Sequence, residues 1–220
     1  MTAQKPKVIF FDAVGTLFGV QGSVGAIYSQ LAQQFGVTAD PQMLDMAFFD
    51  SFEAAGALAF PGTGAEDIAE REYGWWWAIA AETFQKVGVL NQFADFSTFF
   101  SVLYDHFSAA DPWVVYPDTL NTLKHWSNQE VELGIVSNFD SRIHAVLSAL
   151  ELTDFFSSIT ISSEVGVAKP DPQVFAAALK KHSCAPEEAW HVGDSFQDDY
   201  QGARAAGLRG FWLKRPNQQT

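Results

Sequence analysis

Two patterns of apolar residues divide the chain into a helical stretch and a region that alternates strands with helices. Short unbroken apolar runs, each closed by a polar or turn residue, predict buried strands at residues 8–11, 131–136, 158–161, 189–192 and 210–213. After residue 115, apolar residues at helical spacing predict helices at residues 116–128, 142–150, 172–182 and 200–206. Such alternation favours parallel βαβ units. The predicted fold is therefore α/β, with a doubly wound, mostly parallel, Rossmann-like core sheet.

Residues 18–115 follow a helical pattern throughout. Apolar positions recur every three or four residues and predict four helices, which begin near residues 23, 41, 65 and 95, with no strand among them. Asp40 and Pro41 have the residue types of an N-cap and a first helical position. Because this stretch follows the first strand directly, we predict two parts. Residues 1–17 and 116–220 form the α/β core domain, and residues 18–115 form an inserted all-helical cap domain.

The charge of the chain limits its partners. The 220 residues include 26 acidic and 13 basic side chains, which gives a formal net charge of −13. Nucleic acids and anionic membranes need a basic surface, so we expect neither as a partner, and the sequence indicates no particular protein partner. The single cysteine, Cys184, excludes an internal disulfide. With no N-terminal signal pattern and no apolar run of roughly 18 residues, we expect a cytoplasmic protein.

Polar side chains follow the predicted strands. Asp12, Ser137 and Asp194 each stand at or just beyond the end of an apolar run, and Lys169 lies a short way past another. The carboxyl ends of parallel strands share one edge of a sheet, so we expect these four residues to converge there. Clustered carboxylates repel one another and favour a cation such as Mg²⁺, with Asp12 and Asp194 as its ligands. Together with an ammonium and a hydroxyl, they suit phosphoryl transfer through a phosphorylated aspartate.

Four sequence motifs carry a resemblance to a known family. They are Asp-x-x-Gly-Thr-Leu from Asp12, a strand ending in Ser137-Asn138, Lys-Pro-Asp-Pro-x-x-Phe from Lys169, and Gly-Asp-Ser-x-x-x-Asp from Gly193. Their types and order resemble the four motifs of the haloacid dehalogenase (HAD) superfamily. The helical insertion is similar to that superfamily's C1-type cap.

The resemblance implies a Mg²⁺-dependent phosphatase that acts on a small phosphorylated metabolite. Asp12 would be the nucleophile, and the spacing favours Asp199 over Asp198 as the acid that binds the metal together with Asp194. The implied site comprises the catalytic residues Asp12, Ser137 and Lys169; the metal ligands Asp12, Val14 through its backbone carbonyl, Asp194 and Asp199; and the substrate-binding residues Gly15, Thr16 and Asn138.

Val14 departs from the family pattern. HAD phosphatases resemble one another in having a second Asp at this position, which protonates the leaving alcohol and then activates water. Val14 cannot transfer a proton, so the resemblance implies low activity and leaves two alternatives open. One is a metal-free 2-haloacid dehalogenase, although such enzymes lack acids like Asp194 and Asp199. The other is a weakly catalytic or non-catalytic descendant that binds a phosphorylated ligand.

Four further features are assigned from their positions. His191 lies within an apolar strand and is interpreted as a core histidine. Trp75–Trp77 are interpreted as helix packing, with a wall for an apolar substrate as the alternative. Arg71 and Tyr73 are candidates for binding an anion from the cap.

Overall fold

The computed structural model describes residues 5–215. Its main elements, in chain order, are β1 (Val8–Phe11), β2 (Phe18–Val20), α1 (Val24–Gln34), α2 (Pro41–Ala54), α3 (Ile68–Val87), α4 (Phe96–His106), β3 (Trp113–Val115), α5 (Thr119–Ser127), β4 (Glu132–Ser137), α6 (Ile143–Ala149), β5 (Ser158–Ile161), α7 (Ser162–Val165), α8 (Pro172–Lys181), β6 (Ala189–Gly193), a π-helical segment (Phe196–Gln201), α9 (Gly202–Ala205) and β7 (Arg209–Trp212). None of the helices in this described part combines the length and apolar character needed to cross a membrane.

A five-stranded sheet in the order β5-β4-β1-β6-β7 forms the centre of the core. All four strand pairs are parallel, which confirms the predicted fold class. β1 is buried on both faces because its side chains alternate between two apolar clusters, with Ile9 in one and Phe10 in the other. Phe11 at the end of β1 pairs with Ile135 and Val192, so the residues that follow these three emerge at one edge.

The core elements lie close to their predicted bounds, apart from the short α7, which the sequence pattern does not predict, and a difference after β6. The sequence pattern predicts a helix over residues 200–206, whereas the structure has a π-helical segment at Phe196–Gln201 followed by the short α9. Ser195 caps this segment by accepting a hydrogen bond from the backbone N–H of Asp198 at 3.0 Å. The wide turn directs Asp199 back towards the sheet edge, where it is almost completely buried.

The helical block, residues 18–115, contains α1–α4 packed around an apolar cluster of their own. The expectation that this block contains no strand is wrong at its two ends. β2 and β3 pair antiparallel, with Phe18 opposite Val115 and Val20 opposite Trp113. Segments of three residues are too short to show the alternation of apolar and polar residues that predicts a strand. The two strands pair because the chain leaves and re-enters the core at one place. The division of the chain into two domains remains a prediction.

Candidate active site

Lys169 lies between two buried carboxylates at the carboxyl edge of the sheet. Its Nζ donates to Asp12 Oδ1 and to Asp199 Oδ1, each at 2.6 Å. Burial opposes the charge of Lys169, but the two carboxylates outweigh it and hold the pKa of the ammonium above its usual range. The structure thus brings together three residues that the sequence separates by up to 187 positions.

The two carboxylates beside Lys169 differ in their acidity. Burial raises the pKa of Asp12; the Lys169 ammonium opposes this shift, and the Asp199 carboxylate adds to it. Burial also opposes ionisation of Asp199, but Lys169 and a hydrogen bond with His191 outweigh it and hold the pKa of Asp199 below its usual range. Asp199 is therefore the carboxylate of this pair that stays ionised most readily.

Asp194 completes a cluster of acids with Asp12 and Asp199. One oxygen from each of the three carboxylates can be chosen so that all lie within 4.8 Å of one another. Burial, followed by repulsion from Asp12 and Asp199, raises the pKa of Asp194 to about 6. Thr16 Oγ1 lies between two of these acids, 3.4 Å from Asp12 Oδ2 and 3.3 Å from Asp194 Oδ1. Oxygen donors this close suit a hard divalent cation such as Mg²⁺.

Two glycines allow the carboxylates to approach the backbone. A Cβ at Gly193 would lie 2.0 Å from Asp199 Cγ, and a Cβ at Gly15 would lie 2.4 Å from Asp194 Oδ2. Gly15 also has a φ of +89°, which disfavours any other residue. Larger side chains at these positions would therefore displace the acids.

Ser137 and Asn138 have different surroundings at the end of β4. Ser137 Oγ donates to Asp12 Oδ1 at 3.0 Å, beside the predicted nucleophile. Asn138 holds the backbone of Lys169 from both sides: its Oδ1 accepts from Lys169 N at 2.7 Å, and its Nδ2 donates to Lys169 O at 3.0 Å. The sequence predicts Asn138 as a substrate-binding residue, and its hydrogen bonds in the structure are those of a residue that positions Lys169.

Val14 places an aliphatic side chain two residues after Asp12. It is half-buried and packs against the apolar cluster on one face of the sheet. Gly15 next to it donates its backbone N–H to Phe18 O at 2.8 Å, which closes the turn between β1 and β2. The Val14 side chain provides no proton donor or acceptor. Its role as a metal ligand through its carbonyl remains a prediction.

Several neighbours of the acids were not predicted as site residues. His191 is fully buried, as predicted for a core histidine, and its Nε2 lies 2.8 Å from Asp199 Oδ1. Trp212 Nε1 donates to Asp194 O at 2.9 Å, and Arg215 Nη2 donates to Thr16 O at 2.6 Å. His191 lies two residues before Gly193 on β6, and this position could have indicated that it lies near the acids. Trp212 ends β7 and Arg215 follows that strand, and neither belongs to a motif that could have indicated its contact.

The candidates from the helical block lie apart from the acids. Arg71 is exposed, and Tyr73 packs edge-on against Phe100 and Tyr104. Within residues 5–215, no hydrogen bond or ion pair joins either candidate to an acid of the cluster. Of the three tryptophans, Trp76 reaches the core through a hydrogen bond from Nε1 to Asp140 Oδ2 at 2.6 Å.

The chain is similar to known hydrolases along nearly its whole length. Residues 6–207 match the family of haloacid dehalogenase-like hydrolases. Haloacid dehalogenase-like hydrolase domain-containing protein 3 of Danio rerio is 33% identical over 211 residues, which cover 96% of this chain and 86% of that protein.

Two solved structures share the fold. A HAD phosphatase from Thermococcus onnurineus has a TM-score of 0.61 at 22% identity, covering 97% of this chain and 89% of that one. L-2-haloacid dehalogenase from Xanthobacter autotrophicus has a TM-score of 0.64 at 20% identity, covering 92% and 75%. At these identities the likeness concerns the fold, and the two proteins carry different activities in their names.

Proposed function

The chain belongs to the haloacid dehalogenase-like hydrolases, and from this premise we propose that it is a Mg²⁺-dependent phosphatase acting on a small phosphorylated metabolite. The observation that carries the proposal is the group of three acids around one lysine. Asp12, Asp194 and Asp199 supply oxygen donors for a cation, while Lys169 binds both Asp12 and Asp199. A dehalogenase releases a halide from a carbon atom and handles no phosphoryl charge. It would therefore have no evident use for Asp194 and Asp199 beside Asp12.

In the proposed reaction, an Asp12 oxygen attacks the phosphorus of the ester, the bond from phosphorus to the leaving alkoxide breaks, and Asp12 becomes phosphorylated. Water then attacks the phosphorylated Asp12, which releases inorganic phosphate and restores the carboxylate. When bound by the three acids and the Val14 carbonyl, Mg²⁺ would neutralise their charge and that of the phosphoryl oxygens. Lys169 would hold Asp12 in place and screen the incoming phosphoryl group. Ser137 Oγ lies 3.0 Å from Asp12 Oδ1 and can turn its hydroxyl towards a phosphoryl oxygen. The chain's own contribution is thus positioning and charge neutralisation.

The contacts of the helical block support its proposed role as a cap. Ser162 Oγ, just after β5, donates to Leu58 O of the block at 2.6 Å. Glu72 on α3 accepts the backbone N–H of Ser141, after β4, at 2.9 Å. Both contacts lie beyond the carboxyl ends of their strands, which is the edge that carries Asp12. A block docked here would exclude water from the site and contribute to substrate choice.

A 2-haloacid dehalogenase is the second candidate, and Val14 is the observation that favours it. A halide leaves without a proton, so such an enzyme needs no acid at this position. Asp194 and Asp199 favour the phosphatase because they suit a cation.

A screen of phosphate esters and 2-chloroacids, each with Mg²⁺ and with a chelator, separates the candidates. We expect phosphate release that requires Mg²⁺ and disappears in Asp12→Asn. Chloride release without Mg²⁺ would establish the dehalogenase instead. If neither product forms but a phosphate ester binds, the chain is a phospholigand-binding descendant.

A further inference from the structure

The β4 loop, residues 137–142, contacts the candidate site at one end and the helical block at the other. At the site end, Ser137 Oγ bonds Asp12, and Asn138 holds the Lys169 backbone through two hydrogen bonds. Lys169 in turn places its ammonium against the Asp12 carboxylate. The loop therefore fixes both the nucleophile and the lysine.

At the other end, two residues of α3 hold the β4 loop. Glu72 and Trp76 lie one helical turn apart and so share a face of the helix. Glu72 accepts hydrogen bonds from both the backbone N–H and the hydroxyl of Ser141, the first at 2.9 Å. Trp76 Nε1 donates to Asp140 Oδ2 at 2.6 Å. One face of α3 thus binds two consecutive residues of the loop.

Arg142 stabilises this end of the loop through hydrogen bonds. Its Nε and Nη2 donate to the two oxygens of Asp140 at 2.8 and 2.7 Å. Its Nη1 donates to Tyr104 O of α4 at 3.0 Å, and the guanidinium carbon lies 3.8 Å from the centre of the Tyr104 ring. Asp140 is fully buried, so this pair is shielded from water. A connected network of buried polar groups favours the one arrangement in which all its hydrogen bonds form, because an unpaired buried group is costly.

Glu72 is unusual for a residue that only docks a helix. Its side chain is fully buried, and within residues 5–215 no Lys or Arg nitrogen lies within 4 Å of it. Burying a carboxyl group has an energetic cost that an apolar residue would avoid, so its hydrogen bonds must offset that cost. Both of these bonds go to Ser141, three residues after Asn138.

We propose that Glu72 and Trp76 are positioning residues, through which α3 sets the geometry of Lys169 and Asp12 by way of the β4 loop. The site reaches its working geometry only when the helical block is seated on this loop. The catalytic part of this inference rests on the proposed function. The structural part, which is the coupling from Glu72 to the Lys169 backbone, does not rest on the proposed function.

Variants of α3 test the proposal with matched controls. Glu72→Ala removes both acceptors of Ser141, whereas Glu72→Gln keeps an acceptor oxygen in the same position. Glu70→Ala, at an exposed residue of the same helix, is the control. Trp76→Phe removes the indole N–H but keeps an aromatic ring, and its control is the same change at Trp77, an exposed neighbour that packs on Phe96.

Hydrogen exchange measures the coupling without a substrate. Ser141 N–H is bonded to Glu72, and Lys169 N–H is bonded to Asn138, so these two amides report on the two ends of the β4 loop. In Glu72→Ala we expect both amides to exchange about tenfold faster or more, with a smaller rise in Trp76→Phe. Glu72→Gln and both controls should match wild type. If Glu72→Ala does not fold, the Trp76→Phe and Trp77→Phe pair decides by the same measurement.

Turnover then tests the catalytic part. Misplacing a reacting group slightly can cost about 100-fold, so we expect Glu72→Ala to lower kcat by about 10- to 100-fold while KM changes by less than about threefold. Glu72→Gln should restore kcat to near the wild-type value. Unchanged exchange at Lys169 together with a lower melting temperature would overturn the proposal, because Glu72 would then only dock the block. If wild type hydrolyses no phosphate ester, the proposed function fails, and exchange at Lys169 still decides the coupling.

Discussion

Asp194 illustrates how a proposed metal ligand can destabilise the protein that carries it. Its pKa rises from 3.8 to about 6 because it is buried and faces Asp12 and Asp199. A carboxyl group with a raised pKa binds more protons in the folded state than in the unfolded state. Its contribution therefore lowers the free energy of unfolding as pH rises from 3.8 to about 6, and this loss persists at neutral pH.

Replacing Asp194 with Asn removes that penalty. At neutral pH a shift of this size corresponds to at most about 3 kcal/mol, which the partial exposure of Asp194 reduces to about 1 kcal/mol. We expect metal-free Asp194→Asn to melt about 2–4 °C above wild type at pH 7. This difference in melting temperature should disappear below pH 3.8, the ordinary pKa of the carboxyl group. Mg²⁺ should raise the melting temperature of wild type but not of the variant. A metal-free variant that melts below wild type at pH 7 would argue against this charge repulsion.

Val14 sets the expected preference for leaving groups. General acid–base help contributes about 10²–10⁴-fold, so wild type should hydrolyse alkyl phosphates poorly and aryl or acyl phosphates better. We expect Val14→Asp to raise kcat/KM for an alkyl phosphate by about tenfold or more, limited by the cost of a polar group where Val14 now packs.

Val14→Asn is the matched control for that variant, because it has the same shape as Asp but no titratable proton. It should leave the alkyl phosphate activity at the wild-type level. Wild-type turnover of an alkyl phosphate at about 10 per second, typical for enzymes, would mean that another residue supplies the proton.

Residues at the ends of strands were predictable, and residues that meet through packing were not. Asp12, Lys169 and Asp194 could be assigned because parallel strands bring their carboxyl ends to one edge, and Asp199 was assigned from the spacing of its motif. The bond between Glu72 and Ser141 depends on how α3 docks, which the local sequence does not encode.

At the scale of elements, the contact between α1 and α2 depends on a glycine. A Cβ at Gly25 would lie 2.1 Å from Pro41 O and 2.5 Å from Asp45 N. Gly74, on the exposed side of α3, has no atom within 4 Å of the corresponding position. The two glycines therefore make a matched pair, one in a close helix contact and one in open space.

Alanine at these two positions should have opposite effects. Gly25→Ala forces α1 and α2 apart and should destabilise the protein by about 1–3 kcal/mol. Gly74→Ala should stabilise it by about 0.5–1 kcal/mol, because alanine favours a helix and meets no neighbour. Thermal unfolding followed by circular dichroism measures both. A Gly25→Ala variant at least as stable as wild type would contradict the close packing of α1 and α2.

Element prediction succeeded where the apolar pattern was long and failed where it was short. The five strands of the main sheet and α1–α4 were indicated by unbroken runs or by helical spacing over many residues. β2 and β3 have three residues each, and their pairing depends on where the chain re-enters the core. The π-helical segment at Phe196–Gln201, whose wide turn directs Asp199 to the sheet edge, also lacked a signal in the apolar pattern.

At the scale of the whole molecule, the helical block and the core meet at the sheet edge that carries the acids. The core holds Asp12, Lys169 and the other acids, while the block reaches the loops after β4 and β5 through Glu72 and Leu58. This arrangement supports a reaction in which substrate enters between the two parts and the block then excludes water. We expect Asp12 to become phosphorylated there.

Trapping the phosphorylated Asp12 tests this expectation most directly. Wild type is mixed with an aryl phosphate and Mg²⁺, quenched within one turnover, and searched for a phosphorylated residue by mass spectrometry, with Asp12→Asn and a chelator as controls. Slow hydrolysis should let the intermediate accumulate because Val14 cannot activate water. We expect a phosphoryl group on Asp12 that requires Mg²⁺ and is absent from Asp12→Asn. Phosphate release with no phosphoryl group on Asp12, or equal labelling of Asp12→Asn, would show that the reaction does not pass through a phosphorylated Asp12.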